Sequence, residues 1–239
     1  MLDIKRGINA GEFVLHYQPI IELSTMAIAG YEGLMRWIHP EGIRYPNSFI
    51  NKAESEPDTI FAIFKFAIAQ AFSDWSKLGE DKFIAINLSA TSLTHPDLIQ
   101  VLEAYKHAKL TLEITERVAI DMCDLEQLES LKQISKMDWI MIALDDFGLA
   151  SIVQMLQVLE FFGDPQKLKV KLDMYFMQNL DKPRMRKTIK IIVRTIQEYG
   201  IRVVCEGVET DEQLEFLKVI ACDYAQGFHP KLGKPMAIS

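Results

Sequence analysis

Cysteine and histidine are both scarce in this 239-residue sequence. The three cysteines, Cys123, Cys205 and Cys222, form no CxxC pair, and each lies in or beside an apolar run. We therefore expect reduced, buried thiols, as in cytoplasmic proteins, and no disulfide framework. The five histidines show neither HxH nor HExxH spacing, which argues against a zinc site.

Long hydrophobic runs and an excess of positive charge are missing as well. The polar start, Met1–Arg6, lacks the apolar stretch of a signal peptide. The longest apolar segment, Phe61–Phe72, contains Lys65 and Gln70 and is shorter than the roughly 20 residues that span a bilayer. A net charge of −7 disfavours a DNA or RNA partner and a polybasic membrane anchor. These absences predict a cytoplasmic protein without a membrane segment.

The composition is that of an ordinary globular chain. Apolar residues make up 49% of the sequence and charged residues 25%, a balance that can fill a core. No low-complexity tract, long Gly/Ser linker or shift in composition marks a boundary. We expect a single domain over residues 1–239, either excised from a longer protein or complete by itself.

Short β-type runs alternate with longer amphipathic stretches along the chain. Most runs are dense in Val, Ile, Leu, Phe and Tyr, as expected for strands buried on both faces. Eight strands are predicted, at Phe13–Ile21, Ile28–Trp37, Phe83–Ser89, Leu110–Thr115, Trp139–Phe147, Leu168–Asp173, Ile201–Val208 and Cys222–Phe228. Helices are predicted within Phe49–Leu78 (one or two), Asp97–Lys106, Leu125–Lys136, Ile152–Phe161, Met185–Tyr199 and Asp211–Val219.

The link between the first two strands decides the topology. Leu23–Ala27 is too short for a parallel crossover, which needs about a dozen residues, so these strands should form an antiparallel hairpin. Eight strands with outer helices fit an α/β fold, the closed (β/α)8 TIM-type barrel, here with an antiparallel first strand. The alternative is an open doubly wound sheet, which commonly carries a glycine-rich turn after the first strand. Ile20–Met26 contains no glycine, which disfavours that alternative.

Polar side chains stand at or near the carboxyl end of each predicted strand. In a barrel these ends converge on one face, where the active sites of this fold lie. The residues are Gln18, Glu32, Asn87, Glu113, Asp145, Asp146, Lys171, Asp173, Glu206, Glu209 and Gln226.

Seven of these side chains are carboxylates, and only Lys171 balances them. A buried carboxylate needs a partner or a metal, and oxygen ligands suit Mg²⁺ or Mn²⁺. The adjacent Asp145 and Asp146 could serve two ions, the usual arrangement for phosphodiester cleavage. The residues alone indicate a metal-dependent hydrolase or lyase with an anionic substrate, and an enolase-type lyase stays open as an alternative.

A series of motifs between about Phe13 and Met236 resembles the EAL domain family of cyclic di-GMP phosphodiesterases. Each motif alone is weak, but together they follow the family's order over nearly the whole chain. They are Tyr17-Gln-Pro-Ile, Glu32-Gly-Leu-Met-Arg-Trp37, Pro46 to Glu54, Asn87-Leu-Ser, Glu113-Ile-Thr-Glu116, Asp145-Asp-Phe-Gly148, Lys171-Leu-Asp173, Glu206-Gly-Val-Glu209 and Gln226-Gly.

The resemblance implies two Mg²⁺ or Mn²⁺ ions and hydrolysis of cyclic di-GMP to linear pGpG. It implies that one metal is held by Glu32, Asn87, Glu113 and Asp145, and the second by Asp146 with help from Asp173 and Glu209. Lys171 would orient the attacking water or stabilise phosphate charge, and Glu206 would be the general base. Leu34 and Arg36 would contact the nucleotide, Gln18 and Gln226 would line the pocket, and Glu116 would brace the loop after Asp146.

This loop is also where the chain departs most from the family. The family usually reads Asp-Phe-Gly-Thr-Gly-Tyr-Ser-Ser, whereas this chain reads Asp146-Phe-Gly-Leu-Ala-Ser-Ile-Val153. In the family the loop couples substrate and metal binding to dimerisation, so the expected homodimer and its activation are affected. The substitutions in Leu149–Val153 motivate an alternative, a catalytically weak domain that binds cyclic di-GMP or a partner protein as a receptor.

Overall fold

The computed structural model describes residues 4–115, 125–148, 155–156, 159–160 and 162–238. Within these ranges the strands are β1 Phe13–Glu22, β2 Ala27–His39, β3 Gly42–Arg44, β4 Phe83–Asn87, β5 Leu110–Thr115, β6 Ile140–Phe147, β7 Leu168–Leu172, β8 Arg202–Cys205 and β9 Tyr224–Ala225. The helices are α1 Ile4–Asn9, α2 Ile50–Glu54, α3 Pro57–Leu78, α4 Ala90–Leu93, α5 Leu98–Glu103, α6 Leu125–Ser135, α7 Met174–Gln178, α8 Pro183–Glu198 and α9 Asp211–Val219.

Eight of these strands close into a barrel. The sheet order is β1-β9-β8-β7-β6-β5-β4-β2-β3, and a further pairing of β1 with β2 completes the circle. β1 is antiparallel to both of its neighbours, whereas the pairs from β2–β4 through β8–β9 are parallel. The predicted (β/α)8 barrel with an antiparallel first strand is therefore confirmed.

Alternation along each strand separates an outer core from the barrel interior. On β4, Ile84 and Ile86 join the large core between the strands and the helices. Phe83 and Ala85 point the other way and form a smaller apolar cluster inside the barrel with Ile20, Val204 and Tyr224. This period of two is what a strand dictates, because successive side chains leave it on opposite faces. The inward polar residues lie two or more positions further along the same strands. They consequently face the interior at the end of the barrel where the parallel strands have their carboxyl ends, which we call the upper end.

Several local details follow the sequence. The last predicted helix, Asp211–Val219, has its predicted bounds, and Thr210 and Gln213 form a capping box at its start. The predicted region Phe49–Leu78 divides into α2 and α3, and Pro57 occupies the first turn of α3, where its missing N–H is harmless. Of the predicted helix Ile152–Phe161, the structure describes only residues 155–156 and 159–160.

Several elements differ from the expectation, and the short helices α1, α4 and α7 were not predicted. β3 extends the hairpin beyond β2, with Trp37 opposite Arg44, and the sequence analysis did not predict it. The last strand is shorter than Cys222–Phe228, because the chain turns at Gly227 to pack against Val208. A Cβ on Gly227 would lie 2.1 Å from the Val208 carbonyl oxygen, so only glycine permits this approach.

A buried hydrogen bond joins the first strand to the longest outer helix. The Tyr17 hydroxyl donates to Asp74 Oδ2 at 2.8 Å, and Gln70 Nε2 donates to the same oxygen at 2.7 Å. Tyr17 is fully buried and Asp74 is 9% exposed. The bond therefore fixes α3 against β1 away from solvent.

Replacing Tyr17 with phenylalanine should destabilise the fold, because Asp74 loses a buried donor while the ring packing remains. Hydrogen bonds to charged groups contribute about 1.5–3 kcal/mol, and we expect a loss of unfolding free energy in that range. Denaturant titration followed by circular dichroism measures it. Tyr199→Phe, at an exposed position, is the matched control and should stay within about 0.5 kcal/mol of the original chain. Equal effects of the two changes would contradict the assigned role of the bond.

Candidate active site

The ammonium group of Lys171 lies at the centre of the polar cluster in the upper barrel. Its Nζ is 2.8 Å from Glu206 Oε1, 3.0 Å from Glu113 Oε2, 3.0 Å from Asp145 Oδ1 and 3.6 Å from Glu32 Oε2. Lys171 is 1% exposed, and so is Glu113. One cation therefore contacts four carboxylates in a site withdrawn from water.

The four carboxylates come from separate parts of the barrel wall. Glu32 lies on β2, Glu113 on β5 and Asp145 on β6, while Glu206 directly follows β8. Lys171 itself is the fourth residue of β7. Because each strand places every second residue inward, the closed barrel brings these side chains together from positions up to 174 residues apart in sequence.

Two amides complete the surroundings of Glu32. Gln226 Nε2 donates to Glu32 Oε2 at 2.7 Å, and Asn87 Nδ2 donates to Oε1 at 3.4 Å. Gln226 is 3% exposed. The predicted residues Glu32, Asn87, Glu113, Asp145, Lys171, Glu206 and Gln226 are thus brought into one cluster.

The cluster shifts the ionisation of its members in opposite directions. Burial acts to raise the pKa of Glu32, but the Lys171 ammonium and hydrogen bonds from Gln226, Glu113 and Asn87 outweigh it and lower that pKa. Burial acts to lower the pKa of Lys171, but the four carboxylates raise it well above its ordinary value. Lys171 and Glu32 are therefore stabilised as an ion pair.

The remaining carboxylates are pushed toward their neutral forms. Burial and the negative charge of Glu32 raise the pKa of Glu113 well above its ordinary value. Burial raises the pKa of Glu206 to about 7, with Lys171 acting against the shift and Asp145 adding to it. Protons thus offset part of the negative charge that a single lysine leaves uncompensated.

A β-bulge in β6 turns the side chains of the adjacent Asp145 and Asp146 in different directions. Leu144 pairs with Val170 and Phe147 with Leu172, so Asp145 and Asp146 together oppose Lys171. Asp146 adopts a positive φ of 54°, a left-handed conformation that aspartate tolerates better than most residues. The extra residue sends Asp145 into the cluster while Asp146 stays exposed.

Asp173 and Glu209 lie apart from the cluster. Asp173 accepts a hydrogen bond from the Tyr175 backbone N–H at 2.7 Å and caps α7, a structural role that the sequence analysis did not predict. Glu209 is exposed. Within the described part of the chain, no hydrogen bond or ion pair joins either side chain to the Lys171 cluster.

The predicted nucleotide contacts follow β2 toward the rim. Gln18 lies opposite Glu32 in the hairpin register and is 7% exposed. Leu34 is two positions beyond Glu32, and Arg36 is two further, where it donates to the Met35 carbonyl and lies over the Tyr45 ring at 4.9 Å. Tyr45 was not predicted as a contact of Arg36, because the sequence that follows β2 shows no periodic pattern.

A cavity of about 380 Å³ opens beside these residues. Glu32, Leu34 and Asn87 line its barrel side, and Pro46, Ile50 and Phe64 are among the residues on its far side. It gives the carboxylate cluster an adjoining space with an apolar wall. The predicted loop-bracing residue Glu116 and the altered loop Leu149–Val153 lie outside the described residues.

The donor set matches the chemistry of a hard divalent cation. Glu113 Oε2 and Asp145 Oδ1 are buried and accept no hydrogen bond from the residues that the structure describes, although each lies 3.0 Å from the Lys171 ammonium. Carboxylate and amide oxygens are the ligands that Mg²⁺ and Mn²⁺ prefer. Over the described ranges, however, no three His, Cys, Asp or Glu side chains are already grouped to hold a metal ion.

The cluster lies at the carboxyl ends of the barrel strands. Comparison with known proteins shows the family to which the chain belongs. The EAL domain matches residues 1–231. The chain belongs to the EAL domain family. It is 31% identical over 98% of its length to a bifunctional diguanylate cyclase/cyclic di-GMP phosphodiesterase, MucR of Pseudomonas aeruginosa, of which it covers 34%. It is 31% identical over 95% of its length to the cyclic di-GMP phosphodiesterase RocR of the same organism, and it covers 58% of that protein.

Solved EAL structures share the fold. The MucR phosphodiesterase in complex with cyclic di-GMP superposes with a TM-score of 0.83 at 31% identity, covering 98% of this chain and 96% of that one. The EAL domain described here spans 29% of a Caulobacter vibrioides signalling protein to which it is 31% identical. It therefore corresponds to a minor part of several longer relatives. In the described portion of the EAL domain, no helix is both long and apolar enough to cross a membrane.

Replacing Lys171 with methionine should be strongly destabilising, because buried carboxylates lose their counter-ion. Breaking a buried ion pair costs about 3–5 kcal/mol, and we expect a loss of that size at pH 7. The raised pKa of Lys171 means that its stabilisation is fully present below its ordinary pKa. The deficit should shrink toward acidic pH, where the carboxylates are protonated and need no cation. Denaturant titrations across pH measure both effects.

Lys167→Met is the matched control. Lys167 pairs with Asp138 at 3.1 Å, but that carboxylate is 96% exposed. Exposed ion pairs contribute about 0–1 kcal/mol, so this change should be mild. If Lys171→Met proves as mild as the control, Lys171 does not hold the cluster together.

Proposed function

We propose that this EAL domain hydrolyses cyclic di-GMP to linear pGpG in a reaction that depends on Mg²⁺ or Mn²⁺. One observation carries the proposal: the acidic and amide side chains shared with the family motifs converge around Lys171 beside an open cavity. Membership of a family that includes cyclic di-GMP phosphodiesterases supports the substrate.

Glu206 is the proposed general base. A base works best when its pKa lies near the working pH, and the pKa of Glu206 is raised to about 7. Its Oε1 lies 2.8 Å from Lys171 Nζ, so the ammonium would orient the carboxylate and stabilise charge on the phosphate. The base would accept a proton from the attacking water.

The metal sites remain part of the proposal. Glu32, Asn87, Glu113 and Asp145 would hold one ion, and Asp146, with Asp173 and Glu209, would hold the second. When bound, such ions supply Lewis-acid stabilisation of a phosphodiester. Gln18, Leu34, Arg36 and Gln226 would bind and orient the nucleotide, and Arg36 would contact a phosphate.

The proposal extends to the oligomeric state, the location and the partners of the domain. We infer a single domain that acts in the cytoplasm as a homodimer, without a DNA or RNA polymer as partner. Glu116 would brace the loop after Asp146. A receptor that binds cyclic di-GMP without cleaving it is the second candidate, favoured by the changed residues of Leu149–Val153.

Hydrolysis and its dependence on the cluster can be tested with amide variants. The purified domain is incubated with cyclic di-GMP and Mg²⁺ or Mn²⁺, and the products are resolved by chromatography. We expect pGpG from the original chain and a decrease in kcat/KM of about 10²-fold or more in Glu206→Gln, the usual effect of removing a general base. A chelator should abolish the product with either metal.

Two further variants separate chemistry from folding. Glu113→Gln resembles the neutral carboxyl that the raised pKa of Glu113 favours, so the fold should be retained while activity falls. Glu129→Gln, on the exposed face of α6, should leave kcat/KM unchanged. If cyclic di-GMP binds but no pGpG forms with either metal, the proposal of a phosphodiesterase is contradicted and the receptor candidate takes its place.

A further inference from the structure

A second buried lysine faces the opposite end of the barrel. Lys169 lies two residues before Lys171 on β7, so both side chains point inward about 7 Å apart along the strand. Lys169 is 2% exposed, and its Nζ lies 3.1 Å from the centroid of the Phe83 ring and 3.4 Å from Thr111 Oγ1. Among the described residues, no carboxylate oxygen comes within 4.0 Å of this amine. Lys169 is thus a buried cationic group without a counter-ion.

A cavity of about 310 Å³ lies next to this amine, at the amino ends of the parallel strands. Lys169, Arg202, Phe83 and Tyr224 are among the residues that line it. Arg202 donates to the Tyr224 hydroxyl, and its guanidinium lies 5.9 Å from the centroid of that ring. Two cationic side chains and two aromatic rings therefore face one space.

Two carboxylates, Asp81 and Glu22, also line this cavity. Asp81 Oδ2 lies 2.7 Å from the Lys82 ammonium, and Glu22 accepts a hydrogen bond from the Thr25 hydroxyl at 2.7 Å. Neither forms an ion pair with Lys169. With Asp81 balanced by Lys82, two cationic side chains, Lys169 and Arg202, share this wall with one remaining carboxylate, Glu22.

The energetic consequence is a site that lacks an anion. Burial lowers the pKa of Lys169 to about 7; Glu113 acts against this shift and Arg202 adds to it. Burying a charge without a partner is expensive, and an anion placed between two cations offsets that cost. The net charge of −7 opposes general attraction of anions, so binding here would have to come from these local groups.

We propose that this cavity is a second ligand site, which takes a small organic anion. Its carboxylate or phosphate group would pair with Lys169 and Arg202, and its apolar part would pack against Phe83 and Tyr224. The volume lies at the lower end of the range for small-molecule sites, about 300–1,000 Å³. The site is at the other end of the barrel from the Lys171 cluster and does not depend on the proposed hydrolysis.

Calorimetric titration with matched probes tests the site. Benzoate and phenyl phosphate represent the two anionic groups, and benzamide has the shape of benzoate without its charge. We expect at least one of the two anions to bind with a Kd of about 1 mM or tighter and benzamide not to bind. The tighter anion identifies the headgroup class.

Proton uptake gives a readout specific to Lys169. At pH 8 the free amine is mostly neutral, whereas the anion-bound form should be protonated, so binding should take up close to one proton. The heat of binding will then vary with the ionisation enthalpy of the buffer. At pH 6, where the amine is already largely protonated and benzoate is fully ionised, this dependence should nearly vanish for benzoate; phenyl phosphate is compared at pH 8 only, because its second ionisation lies at about pH 6.

Variants assign the effect to its residues. Lys169→Met keeps the length of the side chain and should weaken anion binding at least about 10-fold and abolish proton uptake. Arg202→Met should weaken binding while proton uptake is retained. Lys190→Met, an exposed change of the same charge on α8, should alter neither. Circular dichroism verifies that each variant is folded.

The proposal is overturned if neither anion binds the original chain, or if benzamide binds as tightly as benzoate. It is also overturned if Lys169→Met, once shown to be folded, binds as tightly as the original. If Lys169→Met does not fold, two results together overturn the proposal. These are unchanged anion binding by Arg202→Met and a heat of binding that does not vary with the ionisation enthalpy of the buffer.

Discussion

The buried ammonium of Lys171 is the constraint on which the upper barrel depends. It contacts side chains of β2, β5 and β6 and of the segment after β8, so one cation joins most of the circumference. Each strand must present its inward residue at the correct level. A register slip of one residue would turn a carboxylate outward and leave the ammonium unpaired. The site therefore requires a closed barrel with this register.

The two inward lysines of β7 show how position determines charge. Lys171 faces four carboxylates, which raise its pKa, whereas Lys169 faces aromatic rings, and burial lowers its pKa. Both side chains are nearly inaccessible to water, so the difference comes from neighbouring charges and not from exposure. The interior of one barrel thus has a carboxylate-rich end, suited to cations, and an opposite end where cationic side chains outnumber the carboxylates.

Much of this arrangement could be predicted from sequence, because it rests on local rules. The short link Leu23–Ala27 predicted the antiparallel hairpin. The polar strand ends included the side chains that meet around Lys171, but also Asp146, Asp173 and Glu209, which lie outside that cluster. Three features could not be predicted. The bulge at Asp145 and Asp146 depends on pairing with β7, the short β9 depends on the contact of Gly227 with Val208, and the capping role of Asp173 depends on where α7 begins. Each is set by tertiary contacts, which strand periodicity does not encode.

The charges within the Lys171 cluster also determine how a metal ion would bind there. Lys171 as the internal cation and the raised pKa values of Glu113 and Glu206 offset part of the cluster's negative charge within the chain itself. These contributions reduce the cost of burying the carboxylates in the absence of a divalent ion. A divalent ion that bound among these oxygens would have to displace protons, so its affinity would depend on pH.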